Sequence, residues 1–301
     1  MRGMLASMVM VAVLSVATTG ANAEGLTIVV TTPDIGDLSK RIVGSRGEVI
    51  VLASPTQDPH FLDPQPGLMV ELNRADLLVY NGLELEVGWL PTLLTGSANA
   101  KIQSGQRGHL NCSVAIEGAL EVPEVNSREL GDVHPLGNPH YMLSPKNARR
   151  VARVIAGRLI ELDPDGATEY GAQLKSLLIE LDEKTKAWEE RLAPFKGKRV
   201  LTYHRDWSYL AQWAGLVLVG ELESVPGIPP DPSRLAELVL QYKNGGVELI
   251  LLARWDDKKL CAELSEQISV PSFVGTTQPA SDKGYIDMIE GLVSGLEDAL
   301  K

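Results

Sequence analysis

Residues 164–195 read PDGATEYGAQLKSLLIELDEKTKAWEERLAPF, and the reading of this stretch decides the architecture. From about Ala167 to Leu192 it is dense in Leu, Glu, Lys and Ala and carries no strand-like run. Tyr170, Leu174, Leu177, Leu178, Leu181 and Trp188 recur at helical spacing. A helix of about 25 residues rises ~1.5 Å per residue and spans nearly 40 Å, enough to pass from one domain to another. Short β-rich runs alternate with helical patterns on both sides of it. Before it lie Leu26–Thr31, Glu48–Leu52 and Asp76–Tyr80, with helical patterns after each and another opening at Ser144-Pro145, where a capping residue precedes proline. After it come Lys198–Tyr203, Leu216–Val219, Glu248–Leu252 and Pro271–Val274, with a cap-plus-proline start at Asp231-Pro232 and a last helix from about Tyr285 to Leu300. This rhythm predicts an α/β fold of two lobes, each a mainly parallel β-sheet flanked by helices, joined by a single long linking helix. The expected boundaries are 24–163 for the N-terminal lobe, 164–195 for the linking helix and 196–301 for the C-terminal lobe. An ordinary surface helix of one domain accounts less well for fresh strand–helix units beginning straight afterwards.

A chain of 301 residues has room for two domains. With 28 Lys and Arg against 39 Asp and Glu its net charge is -11, which argues against a nucleic-acid binder needing a basic surface. Residues 1–23, MRGMLASMVMVAVLSVATTGANA, have a positive start, an apolar run from Met4 to Val16 and an A-x-A site at Ala21–Ala23. They read as a cleaved signal peptide. The alternative, a membrane anchor, fits less well, because the apolar run is short for a bilayer and ends in small residues. No cysteine lies beside the cleavage site to carry a lipid, so the expected address is a periplasm. The two cysteines, Cys112 and Cys261, are far apart in sequence and form no C-x-x-C pair; free thiols are expected rather than a disulfide.

Five histidines are the scarce resource. His60, in Gln57-Asp58-Pro59-His60-Phe61, follows the strand run ending at Leu52. His140 lies in the loop Gly137-Asn138-Pro139-His140-Tyr141, and His204 ends Val200–His204. In open α/β sheets ligands bind beyond the carboxyl ends of strands. Two of the three sit in Pro-His-aromatic triplets, where proline holds the preceding backbone extended. Three neutral imidazoles converging from separate elements suit Zn²⁺. From spacing alone, a metal site and three unrelated loop histidines stand about level. His134, six residues before His140, could gather metal in a mobile loop, but a loop-packing or solvated side chain is the plainer reading; His109 reads as surface, and Trp207 and Tyr209 as core.

Taken together these segments resemble the cluster A-I substrate-binding proteins of bacterial metal importers, a zinc- and manganese-binding family. The likeness covers the mature chain. It rests on Val29–Asp34, on Asp58-Pro59-His60 with Pro64-Gln65-Pro66, and on Ala75–Gly82 with Glu84 and Trp89-Leu90. Pro139-His140-Tyr141 with Pro145, and His204 at the end of the first strand of the second lobe, complete it. The resemblance implies a stiff clamp whose long helix holds two lobes about a metal in the interlobe cleft, His60 and His140 from the first lobe and His204 from the second. It also implies an aspartate ligand just after the last strand of the second lobe, where this chain reads Gly275-Thr276-Thr277. The fourth ligand is left open between Asp282, Glu223 and a water molecule. A histidine-rich loop found in some zinc members has no counterpart, since Glu117–Asp132 is acidic and lacks histidine.

The function implied is a periplasmic zinc receptor, not an enzyme, that delivers Zn²⁺ to the membrane permease of an ABC importer. It is expected to be a monomer, with a periplasmic metallochaperone as a further partner. A manganese receptor of the same class is the nearer alternative, Mn²⁺ preferring more carboxylate oxygen. A secreted zinc hydrolase is the alternative from another class, since three histidines with an open position also describe catalytic zinc. Against it, no HExxH is present. A metal-dependent adhesin is a third reading.

Overall fold

The computed structural model describes residues 25–116, 118 and 134–301. The expected signal peptide, and the acidic stretch 117–132 apart from Gly118, lie outside the described residues.

Among the described residues, eight strands form two four-stranded parallel sheets. The first contains β1 (Leu26–Val30), β2 (Gly47–Val51), β3 (Leu77–Tyr80) and β4 (His109–Asn111), in the order β2-β1-β3-β4. The second contains β5 (Arg199–Thr202), β6 (Val217–Glu221), β7 (Leu249–Ala253) and β8 (Ser272–Gly275), in the order β6-β5-β7-β8. The two lobes thus repeat one topology. In each, the chain leaves the first strand to one side and returns to the other, creating the crevice at the carboxyl ends where open α/β sheets bind ligands.

The flanking helices are α1 (Pro33–Val43), α2 (Pro66–Arg74), α3 (Leu90–Ser97), α4 (Pro145–Leu162), α5 (Ala167–Leu192), α6 (Ser208–Ala214), α7 (Pro232–Tyr242), α8 (Lys258–Ile268) and α9 (Tyr285–Leu300). The cap-plus-proline signal at Asp231-Pro232 starts α7, with the Asp231 carboxylate accepting from Arg234 N at 2.8 Å. Ser144-Pro145 also marks a helix start, although the Ser144 side chain makes no capping bond.

Strand residues alternate between two apolar layers. Ile28 and Val30 of β1, Val200 of β5, and Leu249 and Leu251 of β7 face a central core, together with Ile155 of α4, Leu181 and Trp188 of α5, and Ile289 of α9. Their neighbours point outward: Val29 packs with Leu72 and Trp89 under α2 and α3, and Leu201 and Ile250 pack with Leu238 and Leu264 under α7 and α8. Burial on both faces is the reason these strands read as unbroken apolar runs.

The central core passes through α5, the 26-residue helix. The last helix does more than close the second lobe. Its first residue, Tyr285, donates its hydroxyl to Met142 O (2.7 Å) and its backbone N–H to Asp37 Oδ2 (2.9 Å), both in the first lobe. Further along, Trp188 Nε1 donates to Glu290 (2.9 Å), and Arg191 pairs with Glu290 and Glu297, binding α9 to α5. Cys112 and Cys261 are both buried and free. No helix among the described residues is long and apolar enough to cross a membrane.

Candidate metal centre

His60 and His140 are fixed by backbone bonds before their rings are considered, and His204 by its place just beyond a strand. His60 sits in a turn closed by Asp58, whose Oδ1 accepts from His60 N at 2.9 Å; Trp89 Nε1 ties the same turn to the start of α3 through Pro59 O (2.9 Å). His140 N donates to Asn138 Oδ1 (2.9 Å), and Asn138 Nδ2 crosses to Arg205 O of the second lobe (2.7 Å). Asn81, just beyond β3, holds Pro139 O (2.9 Å) and accepts the Tyr141 hydroxyl on its own carbonyl (2.6 Å). His204 lies two residues past β5 in extended backbone.

These anchors bring the three rings together. One donor atom from each of His60, His140 and His204 lies within 4.8 Å of the others. Ring centroids are 5.1 Å apart for His60 and His140, 5.9 Å for His60 and His204, and 6.0 Å for His140 and His204. Carboxylates set two of the rings: His60 Nδ1 is 2.8 Å from Asp58 Oδ1, and His204 Nδ1 is 2.7 Å from Glu223 Oε2. With the proton on Nδ1 facing the carboxylate, Nε2 keeps its lone pair, as a metal-binding imidazole requires.

His140 is enclosed without a carboxylate bonded to its ring. Its Nε2 is buried without a hydrogen-bond partner. Burial first, then the facing imidazoles of His60, His204 and His134, hold its pKa well below the usual histidine value and keep it neutral. Asp206 Oδ1 lies 3.2 Å from that nitrogen without hydrogen-bond geometry. Burial, reinforced by Asp58 and Glu223 and opposed by His204 and His60, raises the Asp206 pKa to about 6. Asp58 behaves oppositely. Burial pushes its carboxyl up, but the hydrogen bonds and charge of His60, with His204, outweigh that and lower it. Asp58, His60, His204, Asp206, Glu223 and Asp256 all line one cavity of about 330 Å³.

The expected residues therefore fall into distinct places. His60, His140 and His204 converge, and Trp207 and Tyr209 are buried as expected. Glu223 is at the site, but its Oε2 already bonds His204 Nδ1 and Gly227 N (2.8 Å). Asp282 is exposed in the turn before α9 and does not line this cavity. His134 departs from its reading as a loop-packing side chain: its Nε2 lies 3.2 Å from His60 Nε2. His109, expected at the surface, is half-buried in β4, with Nδ1 2.8 Å from Ile102 O and Nε2 3.1 Å from the Tyr80 hydroxyl. Asp206 was missed, although its place two residues after His204 was visible. An unpartnered buried imidazole nitrogen, two carboxylate-oriented rings and nearby anionic oxygens are a donor set that fits Zn²⁺.

Fold and site define a two-lobed binding protein with its ligand cleft at the sheet ends. Residues 28–299 match the family described as ZnuA, zinc-uptake complex component A, periplasmic, and the chain belongs to that family. It is similar to the high-affinity zinc uptake system protein ZnuA of Bacillus subtilis (strain 168), 27% identical over 290 residues, covering 93% of this chain and 89% of that one. It is also similar to the manganese-binding lipoprotein MntA of Halalkalibacterium halodurans, 28% identical over 227 residues, covering 73% of this chain and 69% of that one. Among solved structures, a crystal structure of ZnuA superposes with a TM-score of 0.77 at 24% identity, covering 92% of this chain and all of that one; this likeness establishes the fold.

Proposed function

We propose that this protein is a periplasmic receptor that captures Zn²⁺ between its lobes and delivers it to the permease of an ABC importer. His60, His140 and His204 are the ligands, each through Nε2. The observation that carries the reading is the convergence of three nitrogens from two lobes within 4.8 Å. Asp58 and Glu223 fix the tautomers of His60 and His204. His140 needs no proton removed, because burial already keeps it neutral. Residues 1–23 act as the export signal, cleaved after Ala23, and the receptor works as a monomer that a periplasmic metallochaperone loads.

Zinc is favoured over manganese by the chemistry of the donors, imidazole nitrogen suiting Zn²⁺ and carboxylate oxygen suiting Mn²⁺. The similarity to a manganese-binding lipoprotein keeps Mn²⁺ as the second reading. Competition titration with a zinc chelator separates them. The wild type should bind one zinc tightly and Mn²⁺ weakly, and His60→Ala, His140→Ala and His204→Ala should each abolish tight binding. Three variants with wild-type affinity would overturn the ligand set. A Mn²⁺ affinity equal to or above that for zinc would overturn the cargo.

A further inference from the structure

We propose that Asp206 is the fourth ligand, taking the place of the aspartate that the family resemblance puts after the last strand of the second lobe. The inference rests on the three-histidine reading above and adds an oxygen donor to it. The segment after β8, Thr276-Thr277, carries no carboxylate. Asp206 supplies one from another element, two residues beyond His204 and on the same cavity wall.

The geometry is that of donors sharing a centre. For Zn–N of about 2.0–2.1 Å and Zn–O of about 2.0–2.2 Å, two corners of a tetrahedron lie about 3.3–3.5 Å apart. Asp206 Oδ1 and His140 Nε2 are 3.2 Å apart. They do not hydrogen-bond, and both His140 Nε2 and the other carboxylate oxygen, Oδ2, are buried without a partner. Asp206 is 1% exposed. A buried carboxylate oxygen lacking a donor is unfavourable unless a cation faces the group, and a divalent ion between the Asp206 carboxylate and His140 Nε2 satisfies both. The neighbouring Trp207, fully buried in the central core, fixes the backbone that presents Asp206.

Two other carboxylates that line the cavity each have one oxygen engaged. Glu223 Oε2 bonds His204 Nδ1 and Gly227 N, and Asp256 Oδ2 accepts from Ala253 N at 2.6 Å. His134 Nε2 lies 3.2 Å from His60 Nε2, a contact that zinc binding through His60 Nε2 would displace.

Asp206→Cys gives the most direct test. Loaded with one Co²⁺, it should show a thiolate-to-cobalt charge-transfer band that the wild type lacks, because Cys112 and Cys261 are buried elsewhere. Asp206→Asn, of nearly equal volume, should bind zinc at least about 10–100-fold more weakly. Its metal-free melting temperature should equal or exceed that of the wild type, which separates lost binding from lost folding. X-ray absorption of the zinc-loaded wild type should count three imidazoles and one further oxygen. A cobalt-loaded Asp206→Cys without the band, an Asp206→Asn of unchanged affinity, or four imidazoles around zinc would overturn the assignment to Asp206 while leaving the histidine site intact. Unchanged binding in the three histidine variants would instead overturn the site itself.

Discussion

Replacing Glu223 tests whether the cleft is built as a zinc site, because this carboxylate acts one bond away from the proposed metal. Its Oε2 accepts from His204 Nδ1 at 2.7 Å and from Gly227 N at 2.8 Å, so one atom orients a ligand and pins the turn beside it. Glu223→Ala leaves the His204 ring free to rotate and to place its proton on either nitrogen. Loss of such an outer hydrogen bond weakens metal affinity by about 10–100-fold, or about 1.4–2.8 kcal/mol at about 1.4 kcal/mol per factor of ten. Glu223→Gln keeps an acceptor for Nδ1–H and should fall at or below the lower end of that range. The assay is chelator competition on the metal-free protein, with melting temperature as a folding control. Affinity in Glu223→Ala equal to wild type would refute the orienting role, and a loss as complete as that of His204→Ala would make Glu223 itself a ligand.

Other perturbations follow from the same neighbourhood. Burial and the adjacent Asp206 raise the Asp256 pKa from 3.8 to about 8. Between those values the folded protein holds a proton that the unfolded chain has released, so this group's contribution to stability falls as pH rises from 3.8 to about 8 and is level above it. Asp256→Asn keeps the acceptor for Ala253 N; it should raise the metal-free melting temperature at pH 8–9, by a margin that shrinks as the pH is lowered, and a margin independent of pH would contradict the shift. A Cβ added at Gly275 would press into the Trp207 ring and lie 3.0 Å from Leu292 Cδ2, so Gly275→Ala should cost about 1–3 kcal/mol by overpacking, read by denaturant titration. Both cysteines should resist a thiol reagent in the native state and react after unfolding, because each is buried and burial raises the thiol pKa of each.

Legibility in the sequence followed how local the signal was. The runs Ile28–Val30 and Leu249–Ala253 are apolar at every position because both faces of each sheet are covered, and the helix over Ala167–Leu192 shows its stripe in its own residues. His60, His140 and His204 stood out because each follows a recognisable anchor: Asp58-Pro59, Asn138-Pro139 and β5. What stayed hidden depends on distant partners. Nothing beside His134 indicates that its ring reaches His60, since that meeting requires the loop before His140 to fold over the turn at Asp58. His109 lies in a polar stretch that reads as surface, yet pairing with Leu78 of β3 brings its ring to the Tyr80 hydroxyl. Asp206 sits between Arg205 and Trp207 with nothing beside it to mark a buried carboxylate, yet both Asp206 and Trp207 are buried. The crossing of α9 back to Asp37 and Met142 is likewise a matter of assembly.

The way the lobes are joined limits how zinc can leave. A rotation that opened the cleft would break Asn138 Nδ2 to Arg205 O, the Tyr209 hydroxyl to Asn138 O (3.0 Å), Asp34 N to Gln278 Oε1 (3.2 Å) and the Tyr285 bonds to the first lobe. It would also disturb a core shared across both lobes, in which Trp188, Trp207 and Tyr285 are fully buried. Each such aromatic covers about 150–250 Å², so exposing one costs about 4–6 kcal/mol at ~25 cal/mol per Å². The segment from Glu223 to Pro229 is held outside the core, by the Glu223 Oε2 bonds to His204 Nδ1 and Gly227 N, by Glu223 N to Tyr203 O (3.2 Å) and by a bridge between Val225 and Ile228, and Ile228 is 56% exposed. Movement there frees His204 from its carboxylate without touching the core. Hydrogen exchange with and without zinc distinguishes the two routes. Local release confines zinc-dependent protection to residues 58–61, 134–140, 204–208 and 223–229 and leaves α5 and α9 unchanged; protection spread along α5 would show that the lobes themselves move.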